Sequence, residues 1–417
     1  MTKHNQENFA AVTITKTVEF TDLPCGYGKT SQLLQSFKVN ERYFVVVPTR
    51  DEIERVLQQA SVPFSTPMEG AYVDEDGANR TSLLMGLLDL IDDGENIVCT
   101  HKLFDMVNIN EFALEHYNVI IDEVFDCVKG FSGPTEASFQ KTYVDGGLLV
   151  VDEAGMLIPS DKWLLQGDDA YTHKLLKEAV KGRLYRSAQG YYVTVVPVEL
   201  FTNCRSCTVL TYLAEGSLMA RYLDRHHVPF TIKNNINVDK TARDEARRRL
   251  NIYYLDLGLT KAQGYKRQGN WSNKVKDKIA NKLRNLRGRQ LKSVALENIM
   301  ITCRKDVWFD NSGDITDFPT AARLSKARWV HKSTKGTNAY RDCTHAIHLY
   351  DINLNPSVKK FLGMSKEQED LWKQAELIQW IYRTDLRNGS DRPVALYLTS
   401  APMLELVENW LSDSPIQ

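Results

Sequence analysis

With 23 glycines and 13 prolines in 417 residues, the chain is too poor in both to be collagen-like or low-complexity. No stretch approaches the roughly 18 consecutive apolar residues of a membrane span. The opening MTKHNQENFAAV is too polar for a signal peptide, so the expected compartment is the cytoplasm, with no membrane partner. Seven cysteines, at 25, 99, 127, 204, 207, 303 and 343, are an odd number set in apolar segments, which suits reduced buried thiols better than a disulfide framework. Only Cys204 and Cys207 form a Cys-x-x-Cys. Without a second pair at finger spacing, a packed pair is expected rather than a metal site. A net charge of −1 removes any whole-chain argument for nucleic acid.

What is present is ordinary globular composition, 43% apolar and 25% charged, in a length that suits about two or three domains. Residues 12 to 30 read as strand, Gly-rich loop and helix start. RYFVVVPTR then gives a continuous apolar run closed by Pro48, and DEIERVLQQA a helix with Asp51 as its expected N-cap. Strand and helix keep alternating, which predicts an α/β class with mostly parallel sheets. Residues 128 to 200 are less regular. A boundary is expected near 235, giving units 1–235 and 236–417. From Lys261 to Lys292 there are 11 basic residues and one acid, a basic segment on an otherwise acidic chain. Its Tyr265 and Trp271 are candidates for stacking on bases while the cations follow a phosphate backbone, a solvated linker being the plainer reading.

The strongest local signal is Pro24-Cys25-Gly26-Tyr27-Gly28-Lys29-Thr30. It ends in the Gly-Lys-Thr of a phosphate-binding loop, although Leu23 stands where the strict pattern wants glycine. Gly26 and Gly28 let backbone amides approach phosphates, Lys29 reaches the outer oxygens, and the Thr30 hydroxyl suits Mg²⁺. Such a loop needs a carboxylate at a neighbouring strand end and a group to orient water. Val119-Ile120-Ile121-Asp122-Glu123 is favoured, with Asp122 for Mg²⁺ and Glu123 as base; Leu149-Val150-Val151-Asp152-Glu153 has the same form. A capping box at Ser365 and Gln368 starts a long helix that Asn388-Gly389 should stop. It would carry Gln379, Arg383 and Arg387 at i, i+4 spacing on one face, beside the apolar stripe of Leu371, Ala375, Ile378 and Tyr382.

Taken in order, LPCGYGKTS, VVVPTRDE, VCTHKLF, VIIDEVF, TVLTYLAEGS, STKGTNAYRD and QWIYRTDLRNG resemble motifs I, Ia, Ib, II, III, V and VI of superfamily 2 helicases. They span Leu23 to Gly389. The compact layout is most similar to phage and viral DEAD-like helicases, including the origin-binding type. The resemblance implies two RecA-like P-loop NTPase lobes, each a mostly parallel sheet flanked by helices, with ATP and Mg²⁺ in the cleft and a nucleic-acid strand across both. Lys29, Thr30, Asp122 and Glu123 would then face Gln379, Arg383 and Arg387 as catalytic partners. Pro48, Thr49, Arg50, Thr100 and His101, with Lys335, Gly336, Thr337 and Asn338, would form the track. DNA in phage or viral replication or recombination is expected ahead of RNA, beside other replication proteins. Tyr382 stands where the family has glycine, Arg387 falls one residue late, and Leu210-Thr211-Tyr212 replaces the usual motif III.

Two rival readings share the loop. A packaging ATPase would need a nuclease carboxylate cluster, for which Asp306, Asp310, Asp314 and Asp317 are candidates. A degenerate helicase fold would bind nucleic acid without turnover, as the altered motif III and Tyr382 would allow.

Overall fold

The computed structural model describes residues 17–412 apart from 74–78, 108–113, 125, 132–134, 166–172, 188–189, 260–262 and 335. Lys335, one of the expected track residues, therefore lies outside the described residues.

Eighteen strands are described. The first sheet is fully parallel, in the order β13-β1-β12-β6-β2-β5, where β1 is Val18–Asp22, β2 Arg42–Val47, β5 Ile97–Thr100, β6 Tyr117–Asp122, β12 Ser206–Thr211 and β13 Phe230–Asn234. The second is also parallel, in the order β14-β18-β17-β15-β16: β14 Leu250–Tyr254, β15 Ile299–Thr302, β16 Arg328–Trp329, β17 His345–His348 and β18 Val394–Leu398. Three antiparallel pieces decorate the first sheet. They are the hairpin of β3 Gly70–Val73 and β4 Asn79–Ser82, the hairpin of β8 Leu149–Val151 and β9 Leu157–Pro159, and the three-stranded β10-β11-β7 of Leu184–Arg186, Tyr192–Val195 and Val128–Gly130.

The apolar runs explain the layers. In β2, the five residues after Arg42 are all buried, because helices cover both faces of a parallel sheet and leave no side for polar alternation. The helix Arg50–Gln59 follows, and its cap is Thr49, whose side chain accepts from the Glu52 amide, rather than the expected Asp51. Asp51 sits in the first turn, where a negative charge is favourable in any case. The irregular stretch 128–200 is an insertion with its own small core around Phe139, Tyr143, Trp163 and Tyr192.

The chain passes from β13 to β14 through the helix Ile236–Arg249. One continuous core joins the two sheets, including Ala214 and Leu218 on one side and Trp372, Leu377 and Ile378 on the other. Their approach is close: a Cβ on Gly216 would lie 2.5 Å from the Leu371 carbonyl oxygen.

The basic segment is largely helical. Asn273–Arg289 forms a helix that buries Ile279, Ala280, Leu283 and Leu286 against the second sheet's outer core and turns its cations outward. Trp271 is not available for stacking: it is buried, its ring 6.1 Å from Phe318 and its indole N–H bonded to Gln263. All seven cysteines are buried free thiols.

Candidate nucleotide site between the two sheets

The phosphate-binding loop leaves β1 at Asp22, whose carboxylate accepts the amides of Leu213 and Ala214 at 2.8 and 2.9 Å. These bonds tie the end of β1 to the end of β12. Gly26 and Gly28 adopt φ of 90° and 78°, a region that disfavours residues with a Cβ. A Cβ on Gly26 would also lie 3.0 Å from the Arg387 carbonyl oxygen. The Lys29 ammonium donates to the Leu23 carbonyl at 2.6 Å and the Pro24 carbonyl at 3.3 Å, inside the loop it would serve.

Of the two Asp-Glu pairs, the fold brings only Asp122 and Glu123 to this loop. Thr30 Oγ1 donates to Asp122 Oδ1 at 2.9 Å. Asp152 lies in the β8–β9 turn, where Oδ1 accepts the Met156 amide. Burial pushes the Asp122 carboxyl up to about 6; the neighbouring Glu123 adds to the rise and the Thr30 bond opposes it. Glu123 stands at φ 64° with its amide bonded to the Leu210 carbonyl. A non-glycine residue held in the left-handed region costs energy that its surroundings must supply.

The long helix departs from expectation. It begins with the Ser365–Gln368 capping box but ends at Ile381, seven residues early. Thr384 then starts a separate short turn over Asp385–Asn388. Gln379, Arg383 and Arg387 therefore do not share a helical face. The break follows from a buried ion pair that draws Asp385 away. Arg249 Nη2 donates to Asp385 Oδ2 and to its carbonyl, both at 2.8 Å, while Nη1 reaches the Leu386 carbonyl and Glu245. Burial would raise the Asp385 carboxyl, yet hydrogen bonds from Ser390, Asn388 and Arg392 hold it below its usual range.

The turn accomplishes what the helical face was expected to do. Arg383, 1% exposed, places Nη2 3.6 Å from Glu123 Oε1, and Arg387 packs on Gly26. Gln379 instead donates to the Tyr212 carbonyl at 2.9 Å. A cavity of about 310 Å³ remains, lined by Gly28, Lys29, Thr30, Asp122 and Glu123 from the first sheet's side and by Gly336, Asn338, Arg341 and Arg387 from the second's. Its volume falls at the small end of ligand sites. Buried Arg383 Nε and Nη2 and Arg387 Nη1 have no hydrogen-bond partner among the described residues. The Arg387 donor, on a residue that lines the cavity with Lys29, Arg55 and Arg341, fits an anionic oxygen-rich ligand such as a triphosphate, whereas Arg383 meets the Glu123 carboxylate and is not itself part of the lining.

The track residues divide. The Thr49 and Thr100 hydroxyls accept backbone amides as helix caps, and His101 Nε2 lies 3.0 Å from the Asp122 carbonyl oxygen. Arg50 is exposed. Pro48 meets Gly336 directly, since a Cβ there would fall 2.1 Å from Pro48 Cγ. The Thr337 carbonyl accepts from Arg383 at 3.5 Å, and Asn338 lines the cavity.

Sequence reasoning misses Asp22, Glu52, Arg55, Arg249, Arg341 and Asn388. Asp22 carries a readable signal, a carboxylate closing the strand before the loop. Arg249 sits in a run of three arginines, and only the packing distinguishes it.

The fold defines the class first. This is a mixed α/β protein with two helix-flanked parallel sheets, similar to two-lobe helicase folds, and an XPD helicase structure matches it with a TM-score of 0.50 at 13% identity, covering 94% of this chain and 95% of that one. Xpd4 of S. tokodaii covers 94% of each chain at 13% identity with a TM-score of 0.47. In sequence, residues 230–411 match the YonV C-terminal Rossmann-like domain. The SPbeta prophage-derived uncharacterized protein YonV of Bacillus subtilis strain 168 is 23% identical, over 95% of this chain and 99% of its own length.

Proposed function

We propose that the chain is an ATP-dependent nucleic-acid helicase or translocase, acting on DNA ahead of RNA, in phage or viral replication or recombination. Its lobes are residues 1–235 and 236–417. The observation that carries this reading is the approach of Arg383 to Glu123, the residue next to the Asp122 that Thr30 bonds. A residue from each side of the cleft thereby faces one phosphate-binding loop.

In this reading Lys29 exchanges its loop carbonyls for the outer phosphates, while the amides of Gly26 and Gly28 hold the chain of phosphates. Thr30 and Asp122 would hold Mg²⁺, which supplies charge neutralisation on the phosphate oxygens. Glu123 takes a proton from the attacking water. Arg383 and Arg387 stabilise the charge that develops on the transferring group, an effect of roughly 10³ to 10⁵ in rate in comparable sites. Because the arginines and the loop belong to different lobes, hydrolysis changes what holds the lobes together.

Among the described residues, the aspartates of the packaging-nuclease rival do not gather into a cluster. Asp310 accepts the amides of Ser312 and Asp314, Asp306 pairs with Arg304, and among the described residues no group of three or more His, Cys, Asp or Glu could hold a metal. The test is phosphate release from Mg²⁺-ATP with and without single-stranded DNA or RNA, beside Lys29→Ala. Stimulation by one polymer, lost in the variant, is expected. Turnover indifferent to both polymers would refute the motor.

A further inference from the structure

Tyr212 and Tyr382, both departures from the helicase motifs, meet each other across the lobes. Tyr212 follows the last residue of β12, and Tyr382 follows the helix Lys366–Ile381. Their rings stand edge to face with centroids 6.2 Å apart, and the Trp410 ring is edge-on to Tyr382 at 6.0 Å. All three are buried, Tyr212 at 2% exposure. Edge-to-face pairs of this kind add a specific attraction to the area they bury.

The polar atoms close a ring around them. The Tyr212 hydroxyl donates to Asp239 Oδ1 at 2.7 Å and accepts the Trp410 indole N–H at 3.0 Å. Arg243 completes the circuit, with Nε donating to Asp239 Oδ2 and Nη1 to the Trp410 carbonyl, both at 2.7 Å. Asp239 and Arg243 belong to the helix Ile236–Arg249 and Trp410 to the helix Ala401–Leu411. One side chain of the first lobe is therefore enclosed by the second, and Gln379 holds its carbonyl as well. Burial, followed by the Asp239 charge, pushes the Tyr212 phenol well above its usual range, so the hydroxyl stays a donor at neutral pH. A buried network with ionised members is strong when each group is paired and costly to break at one point.

Position gives this ring its consequence. The Glu123 amide bonds to the carbonyl of Leu210, on the strand end that carries Tyr212. Arg383 directly follows Tyr382. The same strand end thus holds both members of the Arg383–Glu123 approach, and Asp22 anchors it from the loop side through the Leu213 and Ala214 amides.

We propose that Tyr212 is a positioning residue for phosphoryl transfer, whose enclosure by the second lobe sets Arg383 against Glu123 before nucleotide binds. The proposal rests on the ATPase reading above and adds to it a tyrosine that touches no part of the nucleotide cavity.

The test uses the full chain with Mg²⁺-ATP. Tyr212→Phe keeps the ring and removes the hydroxyl; it should leave nucleotide affinity within twofold and slow single-turnover phosphate release by about tenfold. Trp410→Phe keeps the Tyr212–Asp239 bond and should slow release by no more than about threefold. If Tyr212 acts through Arg383, then Tyr212→Phe adds no further slowing on an Arg383→Ala background, because the two changes remove one interaction. An unaltered rate in Tyr212→Phe, the same tenfold loss on the Arg383→Ala background, or nucleotide affinity lost in parallel with rate would each overturn the proposal. Amide hydrogen exchange of the nucleotide-free chain supplies a readout independent of turnover: residues 382–387 should exchange at least fivefold faster in Tyr212→Phe, with no change in the helix Asn273–Arg289. If the unaltered chain releases no phosphate, the motor reading fails by itself, and this exchange decides whether Tyr212 fixes the arginine turn. Equal exchange in the two proteins would overturn that placement.

Discussion

Two arginine-rich regions of this protein behave in opposite ways. In the turn after the helix Lys366–Ile381, Arg383 is buried and Asp385 fully so, clamped by Arg249, which is itself 2% exposed. In the basic segment, Lys274, Lys278, Lys282, Arg284 and Arg289 all lie exposed on a helix whose apolar stripe does the anchoring. A local excess of charge therefore says little about where a cation works. Desolvation and a fixed partner confine Arg383 to one place, whereas an exposed cation keeps its hydration and its rotamers.

The comparison breaks most readily at Arg249. Arg249→Ala leaves the Asp385 carboxylate buried beside fewer donors, and removing one partner of a buried pair costs about 3–5 kcal/mol; denaturant unfolding should show a loss of this size. A cost below about 1 kcal/mol would mean that the clamp is dispensable.

Asp122 supplies an intermediate effect of opposite sign. Its carboxyl is raised to about 6, by burial first and Glu123 next. The folded chain thus holds that proton more tightly than the unfolded chain, and stability falls as pH climbs through about 6. Asp122→Asn should stabilise the nucleotide-free protein at pH 7.5 by about 1–3 kcal/mol, with the gain vanishing below pH 4. Thermal melts across that range check it, and a stabilisation independent of pH would contradict the cause given.

The smallest effect belongs to the exposed helix. Lys274→Ala and Lys282→Ala should each change stability by no more than about 0.5 kcal/mol in the same unfolding assay. A larger loss would give these cations a structural role that their exposure denies.

Much of this is legible in the sequence, for identifiable reasons. The strand, glycine and Gly-Lys-Thr order around residue 29 is readable because glycine is the residue that readily takes the φ of 90° and 78° found there, and the run ending in Asp122 reads as a buried strand on composition alone. The sequence favours Asp122 over Asp152 on context alone, and it takes the sheet order β1-β12-β6 to put the end of the Asp122 strand on the same side as the loop. The Arg383 turn escapes a sequence reading because helical periodicity persists through residue 387, while the interaction that ends the helix comes from Arg249, 136 positions away from Asp385. Trp271 reads as a stacking candidate because nothing local distinguishes a buried indole from an exposed one.

The central claim is that a residue from the second lobe completes the first lobe's site. It is tested most directly by comparing nucleotide affinity and single-turnover phosphate release in Arg383→Ala and the unaltered chain. The account predicts near-normal nucleotide binding with hydrolysis slowed by roughly 10³-fold. Hydrolysis at the unaltered rate would contradict it.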